Sequence, residues 1–238
     1  MKLDLLVLAS HPDDAELSCA GTIITHINRG YKVGIVDLTR GEMGTRGTAE
    51  LRIKEAEEAS EILGLSIRKN LEMEDIFFRN DKENQFKLIK AIRKYRPEIV
   101  LANAVSDRHI DHGKGARLAV DACFMAGLSK ISTQEENMEQ EAWRPKNVYH
   151  YIQNNFIKPD FVVDVTEAWE QKIKAIKAFR SQFYDPESTE QQTFISTPDF
   201  LKFIESRSRE LGHSIGVKYG EGFTVNKNVG VTDLFALL

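Results

Sequence analysis

Two short segments hold most of the side chains that could do chemistry. One is Ser10-His11-Pro12-Asp13-Asp14; the other is Asp107-Arg108-His109-Ile110-Asp111-His112. They contain three of the six histidines in the chain. Imidazole nitrogen and carboxylate oxygen are the donors that zinc and similar divalent ions take. His11 and Asp14 stand three residues apart with Pro12 restricting the backbone between them, so both side chains reach one point from a loop-to-helix turn. A plainer reading has Asp13 or Asp14 only capping the helix that follows. His109 and His112, at i and i+3, occupy an equivalent loop in the second half of the site.

Two histidines and one carboxylate make three ligands and leave a fourth position open, the mark of a catalytic zinc site. Water at that position is acidified toward neutrality. Hydrolysis then needs a base, a donor for the developing oxyanion and an acid for the leaving group. Asp13 is the candidate base. His109 is the candidate protonated partner, and Asp111 the carboxylate that would hold His109 charged and fix its tautomer. The same donors would also suit ferrous iron in a two-histidine, one-carboxylate oxygenase. Such enzymes usually sit on jelly rolls, which the elements described next disfavour.

These residues need a scaffold that brings distant segments together. Leu5 to Ala9, Val33 to Leu38 and Ile99 to Ala102 are apolar runs, as in strands buried on both faces. Ser66 to Leu71 reads as a further strand. Helical spacing covers Ala15 to Arg29, Leu51 to Leu63 and Phe86 to Tyr95. Ala116 to Ala126, Ala168 to Phe179 and Asp199 to Leu211 read as later helices, and Val148 to Ile152 and Phe161 to Val165 as later strands. The alternation predicts an α/β fold: a Rossmann-like, mostly parallel sheet flanked by helices, with C-terminal elaborations, in a single domain over residues 1–238. Ser129 to Glu141 reads as a solvated loop.

Chemistry in such sheets sits past the carboxyl ends of the strands. That rule picks out Ser10 to Asp14, Thr39 to Thr48 and Asn103 to His112. A dinucleotide site would place G-x-G-x-x-G in the first loop. Here it carries two carboxylates, which repel phosphate. Thr39 to Thr48 has glycines three apart and could wrap a ligand with backbone amides, or be a flexible connection. Arg52 and Arg108 are candidate anchors for an anionic substrate group. Glu42 and Tyr219 are further candidates for substrate contacts. Tyr219 lies in a glycine-rich stretch, Gly216 to Phe223, that suggests a close-approach loop.

Composition bounds the partners. Thirty-two basic and 36 acidic side chains give a net charge of −4, which opposes a bulk attraction to nucleic acid. No apolar stretch reaches the length of a membrane span. Asp4 interrupts the N-terminal apolar run, so it reads as a buried strand and not a signal peptide. Two isolated cysteines, Cys19 and Cys123, fit a reducing, cytoplasmic setting.

His11-Pro12-Asp13-Asp14, the Gly-Thr-x-Glu-Leu-Arg run ending at Arg52, and Asp107 to His112 together resemble the LmbE-like (PIG-L type) N-acetylglucosamine deacetylases. The likeness runs over essentially the whole chain and is greatest to the bacillithiol-pathway branch, which acts on N-acetylglucosaminyl malate. The resemblance implies a zinc-dependent deacetylase of an amino-sugar conjugate, with a chitobiose as the alternative substrate. It implies His11, Asp14 and His112 as zinc ligands, Asp13 as base, His109 as helper at the oxyanion or leaving group, Asp111 as its orienting carboxylate and Arg52 in the substrate site. It also implies a homo-oligomer, often a hexamer. Ile110 stands where the family usually has proline. A mobile-loop tyrosine used by some members has no assigned counterpart: Tyr184 and Tyr219 are candidates, and Phe194 lies in the region where it would fall. The rival from another class is a non-catalytic sugar- or nucleotide-binding module.

Overall fold

The structure is a computed structural model and describes residues 1–237. Its centre is a seven-stranded sheet. The strands are β1 (Leu5–Ala9), β2 (Val33–Thr39), β3 (Ile67–Met73), β4 (Ile99–Ala102), β7 (Asn147–Tyr151), β8 (Phe161–Asp164) and β9 (Gly220–Val225). Their order is β3-β2-β1-β4-β7-β9-β8. The five strands from β3 to β7 are parallel, and β9 runs antiparallel to both β7 and β8. The predicted α/β fold is present.

Alternation along β1 builds the layers. Leu5, Val7 and Ala9 face one core, with α1 (Asp14–Asn28), α2 (Ala49–Leu63) and α5 (Trp169–Lys177). Leu6 and Leu8 face the other, with α3 (Lys82–Tyr95) and α4 (Ile110–Ala126). Both faces of the strand are dry, which explains its unbroken apolar run. The last long helix, α6 (Phe200–Ser214), packs on β9.

Three elements depart from the sequence reading. The helix expected from Ala116 begins at Ile110, so Asp111 and His112 stand on its first turn and not in a loop. Gly113 and Gly115 lower helix propensity there. Gly115 is needed because a Cβ at that position would lie 2.4 Å from Ser10 Oγ. The Gly216 to Phe223 stretch runs into strand β9, and its close approach is to α6: a Cβ at Gly220 would lie 2.8 Å from Gly212 N. Within Ser129 to Glu141, Gln134–Glu135 (β5) and Met138–Glu139 (β6) pair as a small hairpin. Its turn residues Glu136 and Asn137 both have positive φ, as a tight two-residue hairpin requires.

Candidate functional site

The strand order reverses between β1 and β4, since β1 leads to β2 on one side while β4 lies on the other. The crevice past their carboxyl ends is the ligand position of an open α/β sheet. Ser10 to Asp14 leaves β1 there, and Asn103 to His112 leaves β4. The rings of His11, His109 and His112 gather at 4.6 to 5.7 Å between centroids.

Asp14 lies between two of them. Its Oδ1 is 3.0 Å from His112 Nε2, and its Oδ2 is 3.6 Å from His11 Nδ1. The opposite ring nitrogens face other carboxylates. His11 Nε2 is 3.0 Å from Asp75 Oδ1 and 3.3 Å from Asp111 Oδ2. His112 Nδ1 is 2.6 Å from Asp107 Oδ2. A histidine that binds a metal through one nitrogen usually donates its other N–H to a carboxylate. Both rings have this arrangement, and the nitrogens left over converge on Asp14, so the residues fit a divalent cation. Among the described residues, the groupings whose donor atoms all lie within 4.8 Å of one another are His11, His109 and His112, and His11, Asp75 and Asp111. The expected set of His11, Asp14 and His112 is not among them, although Asp14 lies within 3.6 Å of both rings.

The charges are strongly coupled. Burial opposes the charged ring of His11, but hydrogen bonds to Asp111, Asp14 and Asp75 outweigh it and hold its pKa well above the ordinary value. Burial likewise opposes His112, yet Asp14 and Asp107 raise it to about 9. Burial would raise Asp14, but the two histidines hold it well below the usual carboxylate range. Asp13 is raised to about 7, chiefly by burial and opposed by Arg52. Its backbone sits at φ 111°, a left-handed conformation unusual outside glycine.

His109 and Asp111 differ from expectation. His109 caps α4, with Nδ1 accepting the Asp111 N–H at 3.3 Å. That bond requires an unprotonated Nδ1. Burial, then the neighbouring His11 and His112, lowers its pKa. Cap and burial both favour a neutral ring with its proton on Nε2, where the sequence suggests a protonated one. The Asp111 carboxylate does not orient it. Its oxygens go to His11, to the Ile76 N–H and to Lys114 Nζ. Ile110 is the first residue of α4 and 61% exposed. Proline is favoured at that position, so either residue suits the start of the helix that carries Asp111 and His112.

A cavity of about 350 Å³ opens over this cluster. Arg52 and Arg108 line it. Arg52 donates to Gln182 Oε1 and lies under the glycine loop. A Cβ on Gly41 would come 2.1 Å from its Nη1. Gly41 and Gly44 thus pack against an arginine of the chain itself, and Gly47 against Ser181. Arg108 sits over the Phe194 ring at 4.4 Å. Among the described residues, Glu42 and Tyr219 do not line the cavity. Glu42 Oε1 accepts the Asp75 N–H, and Tyr219 stacks on Trp169 with its hydroxyl at Glu205 and Arg209. Tyr184 also lies off the cavity wall, whereas Phe194 is on it. One stripe of α6, including Phe200, Phe203, Ile204 and Leu211, gives the far wall an apolar surface.

Sequence reasoning missed Asp75 and Gln153, and gave no role to Asn103 although it opens one of the three loops picked out. Each follows the carboxyl end of a strand, β3, β7 and β4 respectively, and that placement was the one available signal.

Fold and donor set together define an α/β protein with a histidine–aspartate cluster able to hold a metal ion at the switch point of its sheet. The chain belongs to the PIG-L (LmbE-like) family, whose GlcNAc-PI de-N-acetylase model matches residues 6–123. It is similar over 98% of both chains to the solved conserved protein TT1542 from Thermus thermophilus, at 38% identity and a TM-score of 0.85. Diacetylchitobiose deacetylase from Thermococcus kodakarensis is 29% identical over 75% of this chain and 70% of its own. At 28% identity stand 4-oxalmesaconate hydratase from Pseudomonas putida (74% and 73% covered) and a probable N-acetyl-alpha-D-glucosaminyl L-malate deacetylase 2 from Bacillus cereus (76% and 84%). No described helix is long and apolar enough to cross a membrane.

Proposed function

We propose that this protein is a zinc-dependent hydrolase that removes the N-acetyl group from an N-acetylglucosamine conjugate, with N-acetylglucosaminyl malate as its first substrate. The observation that carries the reading is Asp14 set between His112 and His11, with buried Asp13 beside it. His11, Asp14 and His112 would hold the cation. Zinc or another divalent ion there would supply Lewis acidity to a water and to the acetyl carbonyl.

The chain's own groups supply the rest. Asp13 takes a proton from the attacking water. His109 offers its Nε2–H to the carbonyl oxygen as that atom gains charge. Asp13 then returns the proton to the departing amine, so acetate and a free amino sugar separate. Arg52 and Arg108, both on the cavity wall, would take the carboxylates of a malate aglycone. The apolar stripe of α6 supports a second substrate instead, because the carbon face of a second sugar packs on such a wall. Diacetylchitobiose is that alternative. The reading also carries a cytoplasmic setting and a homo-oligomer, the latter checked by light scattering.

The test is acetate release by metal-stripped protein with and without added zinc. N-acetylglucosaminyl malate, N-acetylglucosamine and N,N′-diacetylchitobiose are run in parallel. Zinc-dependent release from the malate conjugate alone supports the first reading, and release from the disaccharide moves the substrate. No release from any of the three by zinc-loaded protein overturns the reading and favours water addition to a double bond, as in the hydratase relative, or a binding module.

A further inference from the structure

Gln153 follows β7, a strand that contributes nothing else to the donor set. Its side chain is buried and its orientation is fixed by its neighbours. Oε1 accepts from Asn103 Nδ2 at 3.0 Å and from the Ala104 N–H at 3.1 Å. With both oxygen lone pairs occupied, the NH2 group must point the other way. It lies 2.9 Å from Asp14 Oδ1 and 3.2 Å from His112 Nε2. One amide therefore spans the two ligand atoms that face each other across the site.

Asn103 repeats the device on the other carboxylate oxygen. Its Oδ1 accepts from Ser10 N–H at 2.9 Å and from Ser10 Oγ at 3.0 Å, and its Nδ2 donates to Asp14 Oδ2 at 3.0 Å. The His11 N–H reaches the same Oδ2 at 3.0 Å. Neutral donors from β1, β4 and β7 thus set the plane of the Asp14 carboxylate. A carboxylate oxygen offers two lone pairs, so Oδ1 can keep the Gln153 donor and still face a cation.

We propose that Gln153, supported by Asn103, is a positioning residue of the metal site. It holds Asp14 at the spacing from His112 that a divalent cation needs. The inference rests on the reading that Asp14 and His112 are ligands. Without the Gln153 donor, Asp14 loses a bond on Oδ1 and can rotate about its side-chain torsion, opening the ligand spacing. Partners of this kind typically change metal affinity about 10- to 100-fold.

The experiment uses full-length protein stripped of metal, titrated with Zn2+ against a chromogenic chelator and with Co2+ in the visible range. Gln153→Met keeps the size and removes the donor. Gln153→Asn keeps an amide one methylene too short, and carries the test if the methionine variant does not fold. Zinc affinity about 10- to 100-fold weaker and an altered cobalt band, in a variant that is folded when metal-free, support the proposal. Wild-type affinity and cobalt spectrum in a folded variant overturn it, even if unfolding moves, because that is what a merely structural glutamine would do. Tighter binding also overturns it, since the amide would then be a competitor of the cation. A wild type that binds neither ion removes the ligand reading itself, and this inference with it.

Discussion

Nδ1 of His112 lies 2.6 Å from Oδ2 of Asp107, and this contact aims the other ring nitrogen at Asp14. The second Asp107 oxygen accepts the Asn155 N–H at 2.6 Å, so the carboxylate is itself held in place. In Asp107→Asn the amide can present its NH2 to Nδ1. The imidazole would then carry its proton on Nε2, facing Asp14, where a cation needs a lone pair. Divalent-ion affinity should fall at least about tenfold with the fold intact. Chelator competition and circular dichroism check both halves, and undiminished affinity counts against the tautomer argument.

Asp13→Asn separates catalysis from metal binding. Asparagine is nearly isosteric, and among residues with a side chain it tolerates a left-handed backbone comparatively well. The cation should bind within a few-fold of wild type. Turnover should drop about 10²- to 10⁴-fold, the usual contribution of a positioned base. Metal content and acetate release measured on the same preparation decide it. Retained turnover removes Asp13 from the reaction.

Gly41 has φ 65°, and a Cβ there would press on the Arg52 guanidinium at 2.1 Å. Gly41→Ala therefore meets two penalties. The left-handed backbone costs about 1–2 kcal/mol, seen as a lower unfolding temperature. Arg52 must also shift from its place on the cavity wall, so KM should rise more than kcat falls. A loss of stability with unchanged KM would mean that Arg52 does not touch substrate.

Much of this site is visible in the sequence because it is local. His11 to Asp14 and Asp107 to His112 are short runs of scarce residue types at strand ends, and β1 and β4 match their apolar runs because both faces are buried. The missing parts are not local. Asp75 reaches His11 across 64 residues, and Gln153 reaches Asp14 across 139. Single polar side chains at such separations leave no spacing to read. Strand β9 was obscured for another reason: Glu221, an acidic residue among glycines, is buried inside it and paired.

The two cysteines yield a pH prediction. Burial alone pushes the Cys123 thiol up to about 12, and it holds Cys19 well above its ordinary value. An unfolded thiol ionises near about 8.5. Between that value and 12 the native state holds a proton that the unfolded state has lost. The contribution of Cys123 to stability is thus complete below about pH 8.5 and is lost as pH rises toward 12. Cys123→Ala should flatten that alkaline decline in denaturant midpoints. Neither thiol of native wild type should react with a thiol reagent at pH 8. Fast labelling before unfolding contradicts the burial argument.

Lys172 and Glu221 form a buried ion pair at 2.6 Å, each side chain 2% exposed. The usual expectation is that removing either partner of such a pair costs about 3–5 kcal/mol. Here the two halves should differ. Helix α1 breaks at Cys19, and the freed N–H groups of Gly21 and Thr22 donate to Glu221 at 2.9 and 2.7 Å, joined by Thr22 Oγ1 at 2.7 Å. In Lys172→Met the carboxylate keeps these three donors. In Glu221→Leu the ammonium and both backbone N–H groups are buried without partners. Glu221→Leu should therefore be the more destabilising, near or above the upper end of that range, and Lys172→Met near or below its lower end. Urea unfolding of the two variants reads the order directly. Equal losses would mean that the ion pair dominates, and that Glu221 contributes little to holding the break in α1.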